Sequence, residues 1–190
     1  ITDFEFDMLL KELESLEKEN PQYYDSNSPT NRVGVDSLES FNSFNHKYPM
    51  LSLGNTYSND DLIDFDKRIK KLTNNEISYT CELKYDGVSI SLTYKDGILF
   101  RALTRGDGVK GDDVTSNIKT IKSIPLKLKG SFPKLFEIRG EVFIPLDLFD
   151  KMNSERISEN LDPYANPRNT ASGSLKLLDS KEVAKRPLDC

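Results

Sequence analysis

Apolar positions in the first twenty residues recur at helical spacing. Phe6, Leu9, Leu10, Leu13 and Leu16 share one face. Thr2-Asp3-Phe4-Glu5 fits a capping box, and Pro21 cannot continue the hydrogen-bond ladder, so a helix is predicted over residues 2–20. A second helix is predicted over 58–72, capped by Ser58-Asn59-Asp60-Asp61, with Leu62, Phe65, Ile69 and Leu72 as its buried stripe. The Ser-, Asn-, Pro- and Tyr-rich residues 21–45 read as a linker and irregular loop. The pattern then changes to β-formers. Residues 77–83, 88–94 and 98–104 read as strands separated by Tyr85-Asp86-Gly87 and Lys95-Asp96-Gly97, which predicts an antiparallel meander. A short helix is expected over 112–121, where Val114, Ile118 and Ile121 recur at helical spacing. A further strand is expected over 136–144, ended by Pro145. A helix then begins over 146–152, a polar loop covers 153–163, and a last helix opens at Asn166-Pro167 and runs to about residue 178. The expected class is α+β.

Composition narrows the picture without deciding it. At 190 residues the length suits one domain, or one domain with a small appendage. The division expected is residues 1–30 as helical appendage and linker, and 31–190 as the main domain. A formal charge of −5 argues against a protein that coats nucleic acid, while leaving room for a local basic face. No apolar run is long enough to span a membrane, and the N-terminus lacks both a signal-peptide pattern and an initiator Met. Cys81 and Cys190 form no disulfide framework, which fits a reducing, cytoplasmic setting. With the single histidine, His46, they give no zinc spacing, and no metal-ligating residues are expected.

The candidate chemistry centres on Cys81-Glu82-Leu83-Lys84-Tyr85-Asp86-Gly87. In an extended segment Glu82, Lys84 and Asp86 share one face. A lysine between two carboxylates is either a structural ion pair or a nucleophile. Arg105 follows the third strand, and Glu141 shares a strand face with Glu137 and Arg139. A lysine that attacks phosphorus, an arginine that neutralises developing charge and carboxylates that hold a metal or ribose hydroxyls together suit phosphoryl chemistry. Gly106-Asp107-Gly108-Val109-Lys110-Gly111 matches G-x-G-x-x-G, but the expected hairpins are not the parallel βαβ unit a dinucleotide fold requires. Residues 119–134 carry five lysines and no acid, which makes either a solvated face or a phosphate-contacting edge.

Taken in order, several stretches resemble the bacterial NAD-dependent DNA ligases. They are Thr2-Asp3-Phe4-Glu5-Phe6-Asp7, Pro49-Met50-Leu51-Ser52-Leu53, the segment around Lys84, Thr104-Arg105-Gly106-Asp107-Gly108, Glu137-Ile138-Arg139-Gly140-Glu141, and Asn166-Pro167-Arg168-Asn169 with the residues after it. The resemblance implies a nucleotidyltransferase core, ATP-grasp-like, of antiparallel sheets with flanking helices, preceded by part of a small helical domain. It implies Lys84 as the nucleophile that takes AMP from NAD, Glu82 reading the adenine amine, and Ser52 and Leu53 lining the adenine pocket. Arg105 and Glu141 would contact the ribose side, and Asp86 would stand near the reacting phosphate. Asp3, Phe6 and Asp7 would bind the nicotinamide mononucleotide half, with Phe6 standing where tyrosine is usual. Arg168 would touch DNA phosphates, with Lys176 beside it in place of the usual arginine. NAD, Mg2+ and nicked double-stranded DNA are the implied cofactors and partner, and a monomer is expected. The family's later D-G-V-V-x-K strand and final lysine motif are not in this sequence. The alternatives are an ATP- or GTP-using RNA ligase or capping-type nucleotidyltransferase, and a non-catalytic nucleic-acid-binding module. The Asp3/Asp7 helix favours the NAD-using reading.

Overall fold

The computed structural model describes residues 3–23, 25, 28–31 and 40–190, with 3–7 and 31 described by backbone alone. The first helix, α1, spans Asp3–Glu19. Thr2, the expected cap, lies outside the described residues. Two 3-10 turns follow, at Pro21–Tyr23 and Pro29–Asn31. The expected division between residues 30 and 31 falls in the second of these turns, beside residues 32–39, which lie outside the described residues.

The core is built on three strands, β2 (Val88–Lys95), β3 (Ile98–Thr104) and β5 (Leu135–Val142), in the order β3-β2-β5 and antiparallel throughout. The β2–β3 hairpin turns at Asp96-Gly97, both at positive φ. Alternation gives the sheet two unlike faces. Ile90, Leu92, Tyr94, Ala102 and Val142 point to one side and join Val114, Ile118, Ile121, Ile124, Leu126 and Leu175 in the main buried cluster. Ser89, Ser91, Thr93, Glu137, Arg139 and Glu141 occupy the other. Strand β1 (Ser43–Asn45) pairs separately with β4 (Lys110–Asp112).

The third partner in the sheet is β5. Residues 77–83 form no strand, and all but Ile77 are exposed. Their β-forming composition finds no neighbouring strand among the described residues, and an extended segment without a ladder gains little from propensity. Helix α2 (Asn59–Leu72) has the expected Ser58 cap, completed into a capping box by Asp61. Its apolar stripe is nevertheless exposed at Leu62, Phe65 and Leu72, because no described layer covers it. The helix expected over 112–121 shortens to α3 (Thr115–Ile118), although Val114, Ile118 and Ile121 are all buried. Helix α4 runs over Leu146–Ser158, through residues expected to be loop. The last predicted helix shortens to α5 (Pro167–Leu175), and a further short helix, α6 (Ser180–Ala184), follows where none was predicted. No described helix is long and apolar enough to cross a membrane.

Helix α5 is fixed at both ends. The Asn166 side chain accepts the Asn169 N–H at 2.7 Å, and Pro167 sits in the first turn, where no N–H is needed. At the other end, fully buried Asn117 donates from Nδ2 to the carbonyls of Leu175 and Leu177, both at 2.8 Å. Thr170, Ala171, Ser174 and Leu175 are buried, so Arg168, Asn169, Ser172 and Lys176 are turned outward.

Candidate active site

The outward side of α5 faces the start of β2 and the turn after β3. Together they line a cavity of about 250 Å3 that includes Ser89, Arg105, Glu141, Arg168 and Lys176. A second cavity of about 510 Å3 shares Ser89, Arg105, Glu141 and Arg168 with it, and is also lined by Ser52, Leu53, Glu82 and Lys84. Seven residues singled out from sequence, drawn from five separate stretches, therefore meet around one opening.

Glu141 is held from the neighbouring strand. Ser89 stands directly opposite it and donates its hydroxyl at 2.7 Å. Arg105 leaves the end of β3 on a tight turn. Gly106 and Gly108 adopt φ of 55° and 93°, which only glycine takes readily. Asp107 accepts the N–H groups of Val109 and Lys110, both at 2.8 Å. Those bonds, with Lys110 the larger influence, hold its carboxyl below the ordinary 3.8. His46 contacts the Arg105 carbonyl through Nε2 at 3.1 Å, and the Arg105 guanidinium donates to Ser52 Oγ at 3.1 Å.

Lys84 and Glu82 are exposed on the unpaired segment. The expected lysine flanked by two carboxylates is not formed, since no ion pair joins Lys84 to Glu82 or Asp86 among the described residues. Asp86 lines neither cavity and instead pairs with Arg168 at 3.2 Å. Without an extended ladder the alternation that would align the three side chains is lost. Lys176 pairs with Asp112 at 3.3 Å. Asp3, Phe6 and Asp7 lie on the α1 backbone, and their side chains are outside the described residues. Ser89 was not singled out from sequence. Its signal was its place opposite Glu141, which becomes visible only once the β2–β5 register is known.

Gly87 explains the end of the Lys84 segment. A Cβ there would lie 2.2 Å from the Val142 carbonyl oxygen. The chain between Lys84 and the sheet thus passes directly against β5, beside Glu141.

A mixed helix and antiparallel-sheet domain, with lysine, arginine and carboxylate at one cleft, is the architecture of an adenylating nucleotidyltransferase. Residues 38–190 match the family described as "NAD-dependent DNA ligase adenylation domain", and residues 1–34 match "DNA ligase-like, N-terminal NAD+-binding domain". The chain is 59% identical over 191 residues to a DNA ligase of Flavobacterium psychrophilum, 58% over 190 to one of Christiangramia forsetii, and 55% over 191 to one of Cytophaga hutchinsonii. Each match covers 100% of this chain but 28–29% of the relative, so the chain spans less than a third of their length. The chain belongs to the NAD-dependent DNA ligase family.

Proposed function

We propose that this chain is the NAD-reacting part of a DNA ligase: Lys84 takes AMP from NAD, for later transfer to the 5′-phosphate of a DNA nick. The observation that carries the reading is the convergence of Ser52, Leu53, Glu82, Lys84, Arg105 and Glu141 on one cavity, in a chain whose family reacts with NAD. Residues 1–30 act as the nicotinamide-side appendage and residues 31–190 as the adenylation domain.

The reaction begins when the neutral Lys84 amine attacks the adenylyl phosphorus. A P–N bond forms, the bond to the bridging oxygen breaks, and nicotinamide mononucleotide leaves with the electron pair. The nitrogen releases one of its two protons to solvent and keeps the other as the phosphoramidate forms. A free lysine titrates near about 10.4, so attack requires neighbouring positive charge that favours the neutral form. Arg105, fixed by Ser52 and His46, supplies one such charge and meets the charge that develops on the phosphoryl oxygens. Glu141, oriented by Ser89, accepts from ribose hydroxyls. Glu82 reads the adenine amine, and Leu53 packs on the ring. The cavity's size and mixed polar and apolar lining suit an adenylyl group.

Mg2+ is proposed as the ion that accompanies the phosphates. Among the described residues no group of three or more His, Cys, Asp or Glu could hold a metal ion, so the protein donors do not fit a caged site.

Arg168 and Lys176 face the smaller cavity and are the proposed contacts to the phosphates of nicked double-stranded DNA. Asp86 holds Arg168 in the free protein, and a DNA phosphate competes for the same guanidinium. The protein is proposed to work as a cytoplasmic monomer in replication and repair.

Intact mass of the full-length protein after mixing with NAD tests the reading. One AMP added at Lys84 is expected. An adduct from ATP alone would move the protein to the ATP-using relatives, and no adduct from either would leave a nucleic-acid-binding role.

A further inference from the structure

We propose that Arg139 is a positioning residue for adenylation: its guanidinium clamps two consecutive carbonyls and so sets the segment bearing Ser52 and Leu53 against Arg105. The proposal rests on the adenylation reading above.

Residues 46–57 have no helix or strand. Met50 is buried, whereas Tyr48, Leu51 and Leu53 are exposed, so packing does little to locate this wall of the cavity. Hydrogen bonds locate it instead. The Met50 N–H donates to the Gly108 carbonyl at 2.8 Å, which ties the segment to the Arg105 turn. From the other side Arg139 donates through Nη2 to the Tyr48 carbonyl at 2.7 Å and through Nη1 to the Pro49 carbonyl at 2.9 Å. Pro49 has no N–H to offer, so its carbonyl is the backbone group available there.

The clamp has its own support. Glu137, two residues earlier on the same face of β5, lies 3.6 Å from Nη2, and it accepts the Ser91 hydroxyl at 3.1 Å. Arg139 forms part of the wall of the 510 Å3 cavity and of a neighbouring one of about 550 Å3. It therefore stands between them. Both terminal nitrogens are committed to main-chain oxygens. The side chain thus lines the nucleotide cavity while acting through the 48–53 segment. A planar fork meets two adjacent acceptors at once, whereas a lysine ammonium on a flexible stem does not reproduce that geometry.

The test uses the full-length protein with Arg139→Lys and Glu137→Gln. For Arg139→Lys the KM for NAD in self-adenylylation rises about tenfold, as expected for one lost charge-assisted hydrogen bond. The rate at saturating NAD falls less than KM rises, because Arg105 keeps its own turn while losing part of its support from Ser52. Amide exchange at Met50, whose N–H is the bonded amide of this segment, accelerates, while exchange in β2 and β5 is unchanged. Glu137→Gln moves both readouts the same way, but less. A fall in the saturating rate with KM unchanged would overturn the proposal. So would a raised KM with unchanged exchange at Met50, because Arg139 would then touch NAD directly. Failure of the unmodified protein to acquire AMP from NAD would instead sink the adenylation reading, and the exchange measurement would still report on the clamp.

Discussion

Replacing Gly87 by alanine should damage catalysis far more than it damages the fold. The new Cβ would lie 2.2 Å from the Val142 carbonyl oxygen, 2.9 Å from its carbon and 3.0 Å from Glu141 Cγ. The first distance is roughly 1 Å short of ordinary contact. Two of the three neighbours are backbone, so a side-chain rotation cannot relieve the overlap. Val88 pairs with Val142 at the adjacent position, and the relief must come from parting β2 and β5 at their active-site end. Overpacking of this kind costs about 1–3 kcal/mol, which a sheet held by eight paired positions can absorb. The displacement, however, falls on Glu141 and on the link to Lys84. A shift of about 1 Å in reacting groups costs on the order of 10²-fold in rate. The assay is single-turnover AMP incorporation from NAD by the full-length protein, paired with chemical unfolding. Gly173→Ala is the control. It lies in α5 with nothing within 4 Å of the added methyl, and alanine there should stabilise by about 0.5–1 kcal/mol with the AMP rate unchanged. If Gly87→Ala matched Gly173→Ala in both measurements, the close approach to β5 would have no bearing on the site.

Lys84→Ala should abolish covalent AMP and leave unfolding unchanged, since the side chain is exposed; Lys84→Arg should fail too, because guanidinium stays protonated. Intact mass reads both, and a full adduct on either variant removes Lys84 as the nucleophile. Asp3→Ala and Asp7→Ala should slow AMP transfer from NAD while sparing sealing of a pre-adenylated nick. Equal losses in both single-turnover assays would make them helix caps, a role that acids in a first turn also fill. The Asp107 turn should loosen in acid. Its carboxyl titrates below 3.8 in the folded protein, so its contribution is intact above 3.8 and is lost as pH falls through the depressed value. Amide exchange at Val109 and Lys110, corrected for intrinsic rates, should lose protection there in the unmodified protein and lack it at every pH in Asp107→Ala. Unchanged protection in the variant would refute the role of those bonds.

What could be read from sequence depended on whether the determining interaction was local. Ser58 and Asp61 cap α2 within four residues of each other, and Asn166 caps α5 within three, so both helix starts were legible. The β2–β3 hairpin closes through Asp96-Gly97, again a local turn. The sheet's third member was not legible, because β2 chooses β5 over a separation of some fifty residues, and residues 77–83 have the same β-forming composition without the partner. The exposed stripe of α2 is the same lesson for a helix: periodicity marks a face able to be buried, and only tertiary structure says whether something covers it. The charged groups divide the same way. Residue type and spacing drew attention to Lys84, Arg105 and Glu141, the family resemblance added Arg168, and the fold brings them to one opening. Their partners were hidden. Asp86 belongs with Arg168, eighty-two positions away, and not with the lysine two positions before it. Arg139 reaches back ninety residues to two main-chain oxygens, which carry no side-chain signature. Motifs thus drew out the groups proposed to meet substrate, while the groups that orient them emerged only from the long-range register of β2 with β5 and from the turn around Gly106 and Gly108. Substitution at these orienting contacts is accordingly most informative, since it separates placement from chemistry.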